Sequence, residues 1–409
     1  MGNVQQTDRR SVTAGCSGLS NFNQRERRSS SEYNLSGLST AGSGCFRSWS
    51  TGSSSNQSTY SVSRPWSRVS RHRWRESTLN DRFEAAKTAW PVPLIEAAFL
   101  PEFKIGVSMN EQSFELLGSL ASGSYGKVYQ VRKRDTDEEF ALKVLSKSQL
   151  ISESGVNQVK NEVGIQSMCG HHPFILNCPY YWQSRKKLFI VSEFMPGGEL
   201  LALWQKYGAL PQPLVKIYIA ELALAIDFLH NAGVIFRDLK LENVMLDGAG
   251  HLKVIDFGMA KWLKYGERTR TLCGTVRYMA PEVVSMEPYG HAVDWWSLGI
   301  IAYCLITGEF PARSLRQQEA PAAPDRCEPA GRDLLGRLLQ IEPQKRLRSL
   351  LTLQGIAFYK DFSFADVRAR KSSPKQMLHE LDISLAKSIK EGLYDLIHHP
   401  EMFHLDGFD

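Results

Sequence analysis

At 409 residues with 43% hydrophobic side chains, the chain can bury a large core and carry further segments besides. Its net charge of +6 is unevenly placed: residues 1–80 hold 11 Arg, no Lys and only 4 acidic residues, Asp8, Glu26, Glu32 and Glu76. The remainder is therefore close to neutral, which argues against a nucleic-acid-binding surface there.

Residues 1–85 are rich in Ser, Gly and Arg, with single aromatics and no sustained periodicity, the composition of a disordered tail. Such a tail is either plain solvated chain or a regulatory arm. Arg64-Pro65-Trp66-Ser67-Arg68 and Arg71-His72-Arg73-Trp74-Arg75 offer Arg and Trp to acidic or lipid surfaces. Trp90-Pro91-Val92-Pro93 marks a linker over 86–113, and Phe99-Leu100-Pro101-Glu102-Phe103 is expected to pack on the next domain. From Phe114 to about Val144 the pattern is β-like. It contains Leu120-Ala121-Ser122-Gly123-Ser124-Tyr125-Gly126-Lys127-Val128, which by itself reads as a hairpin turn as readily as a nucleotide loop. Phe140-Ala141-Leu142-Lys143 is a short apolar strand ending in a lysine. A half-buried lysine needs an anionic partner, and Glu162 on the helix predicted over about 155–169 can supply it. As an isolated pair this would be a surface salt bridge worth little. A second β-like stretch (175–193) ends in Leu188-Phe189-Ile190-Val191-Ser192-Glu193-Phe194-Met195. Pro196-Gly197-Gly198-Glu199 then turns into a helix, where Glu199 suits the positive helix end. Val215, Ile219, Leu222, Ile226 and Leu229 recur at helical spacing and mark a core-facing helix that Asn231 and Gly233 end.

Next along the chain come three segments, Phe236-Arg237-Asp238-Leu239-Lys240-Leu241-Glu242-Asn243, Asp256-Phe257-Gly258 and Ala280-Pro281-Glu282. Their order and spacing resemble the catalytic loop, metal-binding loop and activation-segment end of protein kinases. Phosphoryl transfer needs an acceptor hydroxyl held in line and a triphosphate whose charge is neutralised. The resemblance implies that Asp238 orients the hydroxyl and takes its proton, and that Lys240 reaches the transferring phosphate. Asn243 and Asp256 would ligate Mg²⁺. It further implies ATP held by the 120–128 loop, by Lys143 paired with Glu162, and by the backbone of Glu193 and Met195. The expected fold is α+β and bilobal, a β-rich lobe then a helical lobe, with the kinase domain at 114–358 and a C-terminal tail at 359–409.

Thr271-Leu272-Cys273-Gly274-Thr275-Val276-Arg277-Tyr278-Met279-Ala280-Pro281-Glu282 resembles the activation segment of AGC serine/threonine kinases. That likeness implies an upstream kinase acting on Thr271, with Arg237 and Lys261 gripping the phosphate. It also implies protein substrates whose arginine meets Glu199 and Glu242, Asp294 anchoring the catalytic loop, and Arg346 pairing with Glu282. Several positions depart from the family. Gln166 stands where a hydrophobic spine expects leucine, and Gly164 weakens the same helix by roughly 1 kcal/mol. The expected result is an unphosphorylated protein mostly in a state with the Lys143–Glu162 pair broken, which phosphate on Thr271 shifts toward the closed form. Residues 311–331 are short for a substrate-docking helix, Val276-Arg277 replaces a Pro-acid pair, and Phe403-His404-Leu405-Asp406-Gly407-Phe408 only loosely resembles the family's docking motif.

The reading is a Mg-ATP-dependent serine/threonine kinase; its alternative is a pseudokinase or scaffold that binds ATP or partners with little turnover. The 7 cysteines show no metal-ligand spacing and suit a reducing compartment, so the expected localisation is cytoplasmic. No apolar run approaches the roughly 20 residues of a membrane span, and the polar N-terminus does not read as a signal peptide. Met1-Gly2-Asn3-Val4-Gln5-Gln6-Thr7 misses the myristoylation pattern by one position. It nevertheless resembles the N-terminus of the cAMP-dependent kinase catalytic subunit. Acylation at Gly2, with Cys16 or the Arg cluster as second anchor, makes a membrane surface a candidate partner.

Overall fold

The computed structural model describes residues 94–105, 107, 109–123, 126–264, 266–312 and 320–384. The expectations for the tail, Gly2, Cys16, Ser124, Tyr125 and Phe403 to Phe408 lie outside the described residues.

After a short helix α1 (Leu94–Ala97), the chain builds one antiparallel sheet from β1 (Phe114–Gly123), β2 (Gly126–Lys133), β3 (Glu139–Ser146), β4 (Tyr180–Gln183) and β5 (Lys187–Glu193). The strand order is β1-β2-β3-β5-β4. Because side chains alternate along a strand, β5 feeds two cores. Leu188 and Ile190 join the cluster under helix α3 (Val156–Cys169), and Phe189 and Val191 join the opposite one. That opposite face is aromatic: Trp182 stacks on Phe189 at 5.0 Å and on Phe114 at 6.1 Å. Helix α2 (Lys147–Ser152) links β3 to α3.

The second lobe is helical and follows α4 (Leu200–Tyr207). Its axis is α5 (Gln212–Asn231), whose apolar stripe of Val215, Ile219, Leu222, Ile226 and Leu229 is entirely buried. The other long element, α7 (Ala292–Thr307), follows α6 (Pro281–Val284) and buries Trp295 and Trp296 completely. Helices α8 (Pro329–Leu338), α9 (Leu350–Gln354) and α10 (Phe364–Arg368) close the lobe. Two small antiparallel sheets, β6 (Val234–Ile235) with β9 (Lys261–Trp262) and β7 (Val244–Leu246) with β8 (Leu252–Val254), frame the catalytic-loop residues between them. Arg346 holds Glu282 in a buried bidentate pair at 2.7 and 2.9 Å. Among the described residues, 308–312 and 320–328 form no helix, and no helix is long and apolar enough to cross a membrane.

Candidate active site

The chain leaves β6 into residues 236–243, and one carboxylate holds that loop from beneath. Asp294, fully buried in the first turn of α7, accepts the main-chain N–H groups of Phe236 at 2.9 Å and Arg237 at 2.8 Å. It also meets His230 Nε2 at 2.8 Å. Bonds to an ionised acceptor are the strong ones, so the loop is rigidly seated. It is also strained, since Arg237 takes a φ of 70°, in the left-handed region that side chains disfavour. Gly274, at φ 106°, lets the activation segment pass against it; a β-carbon there would lie 2.6 Å from the Arg237 carbonyl oxygen.

Asp238 is the hub of the polar cluster. Its Oδ2 takes Asn243 Nδ2 at 3.0 Å and Lys240 Nζ at 2.9 Å. Its Oδ1 accepts the Thr275 hydroxyl at 2.8 Å, and Thr275 Oγ1 in turn accepts from Lys240 at 2.9 Å. Asn243 spends its amide N–H groups on Asp238, side chain and carbonyl, which turns its amide oxygen into the group available to a cation. Asp256 is exposed and uses one carboxylate oxygen on the Gly258 N–H at 3.2 Å. Two such oxygens suit Mg²⁺, which takes one or two carboxylate-type ligands and completes its shell with phosphate and water.

In the other lobe Lys143 Nζ meets Glu162 Oε1 at 2.7 Å. Burial disfavours the ammonium charge, but Glu162 and Asp256 together outweigh it and hold the Lys143 pKa above its ordinary value. The pair is closed in this structure, despite Gly164 and Gln166 in the helix that carries Glu162. Two physical reasons stand out. Gln166 is buried, but its Oε1 accepts the Cys178 thiol at 3.3 Å, so the polar group in the spine is satisfied. The helix is also gripped by residues 94–105, through Phe99 and Phe103 in the cluster beneath it and through Lys160. Below it, Phe257 is fully buried and packs edge-on against Phe236 at 5.1 Å.

Of the remaining candidates, Leu120, Ala121 and Ser122 lie exposed on β1. Lys127 and Val128 on β2 run toward Lys143, with Val128 directly opposite it on β3. Gly126 is needed for strand packing as well as for any nucleotide, because a β-carbon would fall 1.9 Å from the Val144 carbonyl oxygen. Nothing crowds Gly123. The Glu193 N–H is taken by the Asn177 carbonyl at 3.1 Å, so its carbonyl is the group left for adenine. Its side chain is fixed by Lys253 at 2.7 and 2.8 Å. Met195 is buried two residues on. Glu199 makes no capping bond from its side chain, and Glu242 accepts the Tyr278 hydroxyl at 3.1 Å. Lys261 reaches Thr269 Oγ1 at 3.0 Å and not Thr271, although the two threonine hydroxyls are 3.4 Å apart. Arg237 Nε donates to the Met259 carbonyl at 2.6 Å. Arg277 does not stand free near the peptide site but lies over the Phe310 ring at 3.7 Å. The sequence assigns Thr275 no contact with Asp238; its position inside the activation-segment motif is the signal that could have given one. Nothing in the sequence pointed to Cys178 or Lys253.

A model described as the protein kinase domain matches residues 114–355. The chain belongs to the protein kinase family, and its relatives mark it as an AGC-type serine/threonine kinase. It is 36% identical to the human ribosomal protein S6 kinase-related protein over 315 residues, 75% of this chain and 76% of that one. It is 37% identical over 281 residues to a RAC family serine/threonine-protein kinase homolog of Dictyostelium discoideum, covering 66% and 62% of the two chains. With the serine/threonine-protein kinase gad8 of Schizosaccharomyces pombe the identity is 38% over 273 residues, 64% and 48% of the chains.

Proposed function

We propose that this kinase transfers the γ-phosphoryl group of ATP to a protein serine or threonine hydroxyl, with Asp238 and Lys240 as the catalytic pair. The observation that carries this reading is the closed cluster of Asp238, Lys240, Thr275 and Asn243 together with the formed Lys143–Glu162 pair. Asp238 accepts the hydroxyl hydrogen bond and then the proton as the new O–P bond forms. The bond from the γ-phosphorus to the bridging oxygen breaks and its electron pair leaves with ADP. Lys240 and Thr275 restrain the Asp238 carboxylate, and Lys143 places the α- and β-phosphates. Mg²⁺, which the family uses, supplies charge neutralisation on the phosphate oxygens, and Asn243 and Asp256 are the residues that would hold it.

Regulation follows from the activation segment. Phosphate added to Thr271 by an upstream kinase enters a region that already holds Lys261 beside Thr269, and Tyr289, whose hydroxyl bonds the Thr271 carbonyl at 2.6 Å. Lys261 and Arg237 then have a dianion to pair with, and the segment is ordered more firmly. Glu199 and Glu242 favour an arginine upstream of the phosphoacceptor. Cys304, at a position where basophilic kinases of this family carry a further acid, is buried, and burial raises its thiol pKa so that it stays uncharged; the basic preference is therefore moderate.

The experiment is phosphorylation of an arrayed peptide library by the purified protein and by Asp238→Ala. The variant should bind Mg-ATP yet lose essentially all turnover. Turnover equal to the parent's would sink the catalytic assignment. Nucleotide binding without turnover in the parent would favour the scaffold reading.

A further inference from the structure

The residues preceding the sheet do more than connect. Phe99, Leu100 and Phe103 have no solvent exposure at all. Phe99 and Phe103 sit edge-on at 6.3 Å and enter one apolar cluster with Val159 and Val163 of α3 and Leu188 and Ile190 of β5. Polar latches flank them on two elements. From α3, Lys160 donates to the Leu100 carbonyl at 2.5 Å and pairs with Glu102 at 2.8 Å. From β4, Gln183 donates to the carbonyls of Phe103 at 2.6 Å and Glu96 at 3.2 Å. Lys147, fully buried, bonds Gln183 Oε1 at 2.5 Å and lies 5.2 Å from the centre of the Phe99 ring.

The helix so gripped is weak in its own sequence, although Ile165 and Cys169 anchor its far end in the core. Gly155 at its start provides no side-chain cap, Gly164 interrupts its middle with open space around it, and Gln166 puts an amide into the core. Yet this helix carries Glu162, and its Val159, Lys160 and Val163 are the residues the strap holds. Val159, one helical turn before Glu162, and Val163 beside it thus bear directly on where the carboxylate sits.

We propose that Phe99 and Phe103 are positioning residues for phosphoryl transfer. Residues 94–105 form a strap that docks in cis on α3 and holds Glu162 against Lys143, so that ATP is turned over only while the strap is seated. The proposal rests on the reading of Lys143 and Glu162 as the phosphate clamp.

The test uses the full-length chain and its Phe99→Ala/Phe103→Ala variant, with steady-state kinetics in ATP and a peptide covering residues 94–105 added in trans. The variant should lose at least about tenfold in kcat/KM for ATP with little change in KM for the protein substrate. The wild-type peptide should restore most of that loss, and the same peptide with both phenylalanines changed to alanine should not. Activity within about twofold of the parent, or a loss in a folded variant that the peptide leaves unchanged, overturns the proposal. Should the double variant fail to fold, Lys160→Met decides. It leaves the apolar groove filled, and the expected result is a several-fold fall in kcat/KM for ATP; unchanged kinetics would overturn the strap. Amide hydrogen exchange over 156–169 separates the two readings. If the parent shows no turnover, the catalytic reading fails, but faster exchange in the double variant than in the parent still supports the strap. Equal exchange refutes it.

Discussion

The catalytic loop and helix α3 face the same chemistry but are held in opposite ways. The loop is fastened from within: Asp294 accepts two main-chain N–H groups while fully buried, and Trp295 and Trp296 fill the core beside it. Helix α3 is fastened partly from outside: Ile165 and Cys169 enter the core and Glu162 pairs with Lys143, but Val159, Lys160 and Val163 depend on residues 94–105. Buried charge-assisted networks resist change, whereas a surface-docked segment can be released without unfolding the lobe beneath it. Chemistry thus sits on the rigid element, and control on the one whose support can be withdrawn.

The harshest way to break this contrast is to make the loop as weakly held as the helix. Asp294→Ala leaves the buried Phe236 N–H, the half-buried Arg237 N–H and His230 without their acceptor, at about 1–3 kcal/mol for a fully buried unsatisfied group. Peptide phosphorylation should fall by at least about 100-fold, because a loop misplaced by about 1 Å loses catalysis of that order. A melting temperature and turnover equal to the parent's would show that the loop is held by something else.

A gentler perturbation is pH. Burial lowers the Lys147 pKa from 10.5 to about 8, with Glu96 opposing the shift. The folded value lies below the unfolded one, so between the two the unfolded chain binds more protons and stability rises with pH. Below about pH 8 the buried charge costs the folded state roughly 3 kcal/mol, and about 2 kcal/mol of that is recovered between pH 7 and 9.5. Urea unfolding of the parent and Lys147→Met at both pH values checks this. Relative to the variant, the parent should gain stability at the higher pH. A constant difference would mean that Lys147 titrates normally and that its burial is not felt.

The smallest effect sharpens the comparison from within the helix. Gln166→Leu adds apolar burial worth on the order of 1 kcal/mol and leaves only the weak Cys178 thiol without its acceptor. Basal activity should rise a few-fold, and the variant should lose less than the parent when Phe99 and Phe103 are replaced. Initial-rate assays on the four combinations measure that coupling; additive effects would place Gln166 outside the pathway from strap to Glu162.

Much of this protein is legible one residue after another. The catalytic loop, the Asp256-Phe257-Gly258 turn and the Ala280-Pro281-Glu282 end are contiguous, so their residue types and spacing are visible before any folding. The buried stripe of α5 follows from helical periodicity alone, and Lys143 with Glu162 from a lysine in an apolar strand that needs a carboxylate, although the strand runs on past Lys143 to Ser146. The apolar character of Phe99 to Phe103 is plain, but not the groove it fills. Lys147, Lys160 and Gln183 meet it from three elements, at separations that no local period encodes. The Cys178–Gln166 bond, the Lys253–Glu193 pair and the Arg277–Phe310 stack are of the same kind. A side chain's type states which partners would satisfy it, but packing selects which one it meets. That is why Gln166, read alone as a flaw in the helix, is in the folded chain a satisfied group.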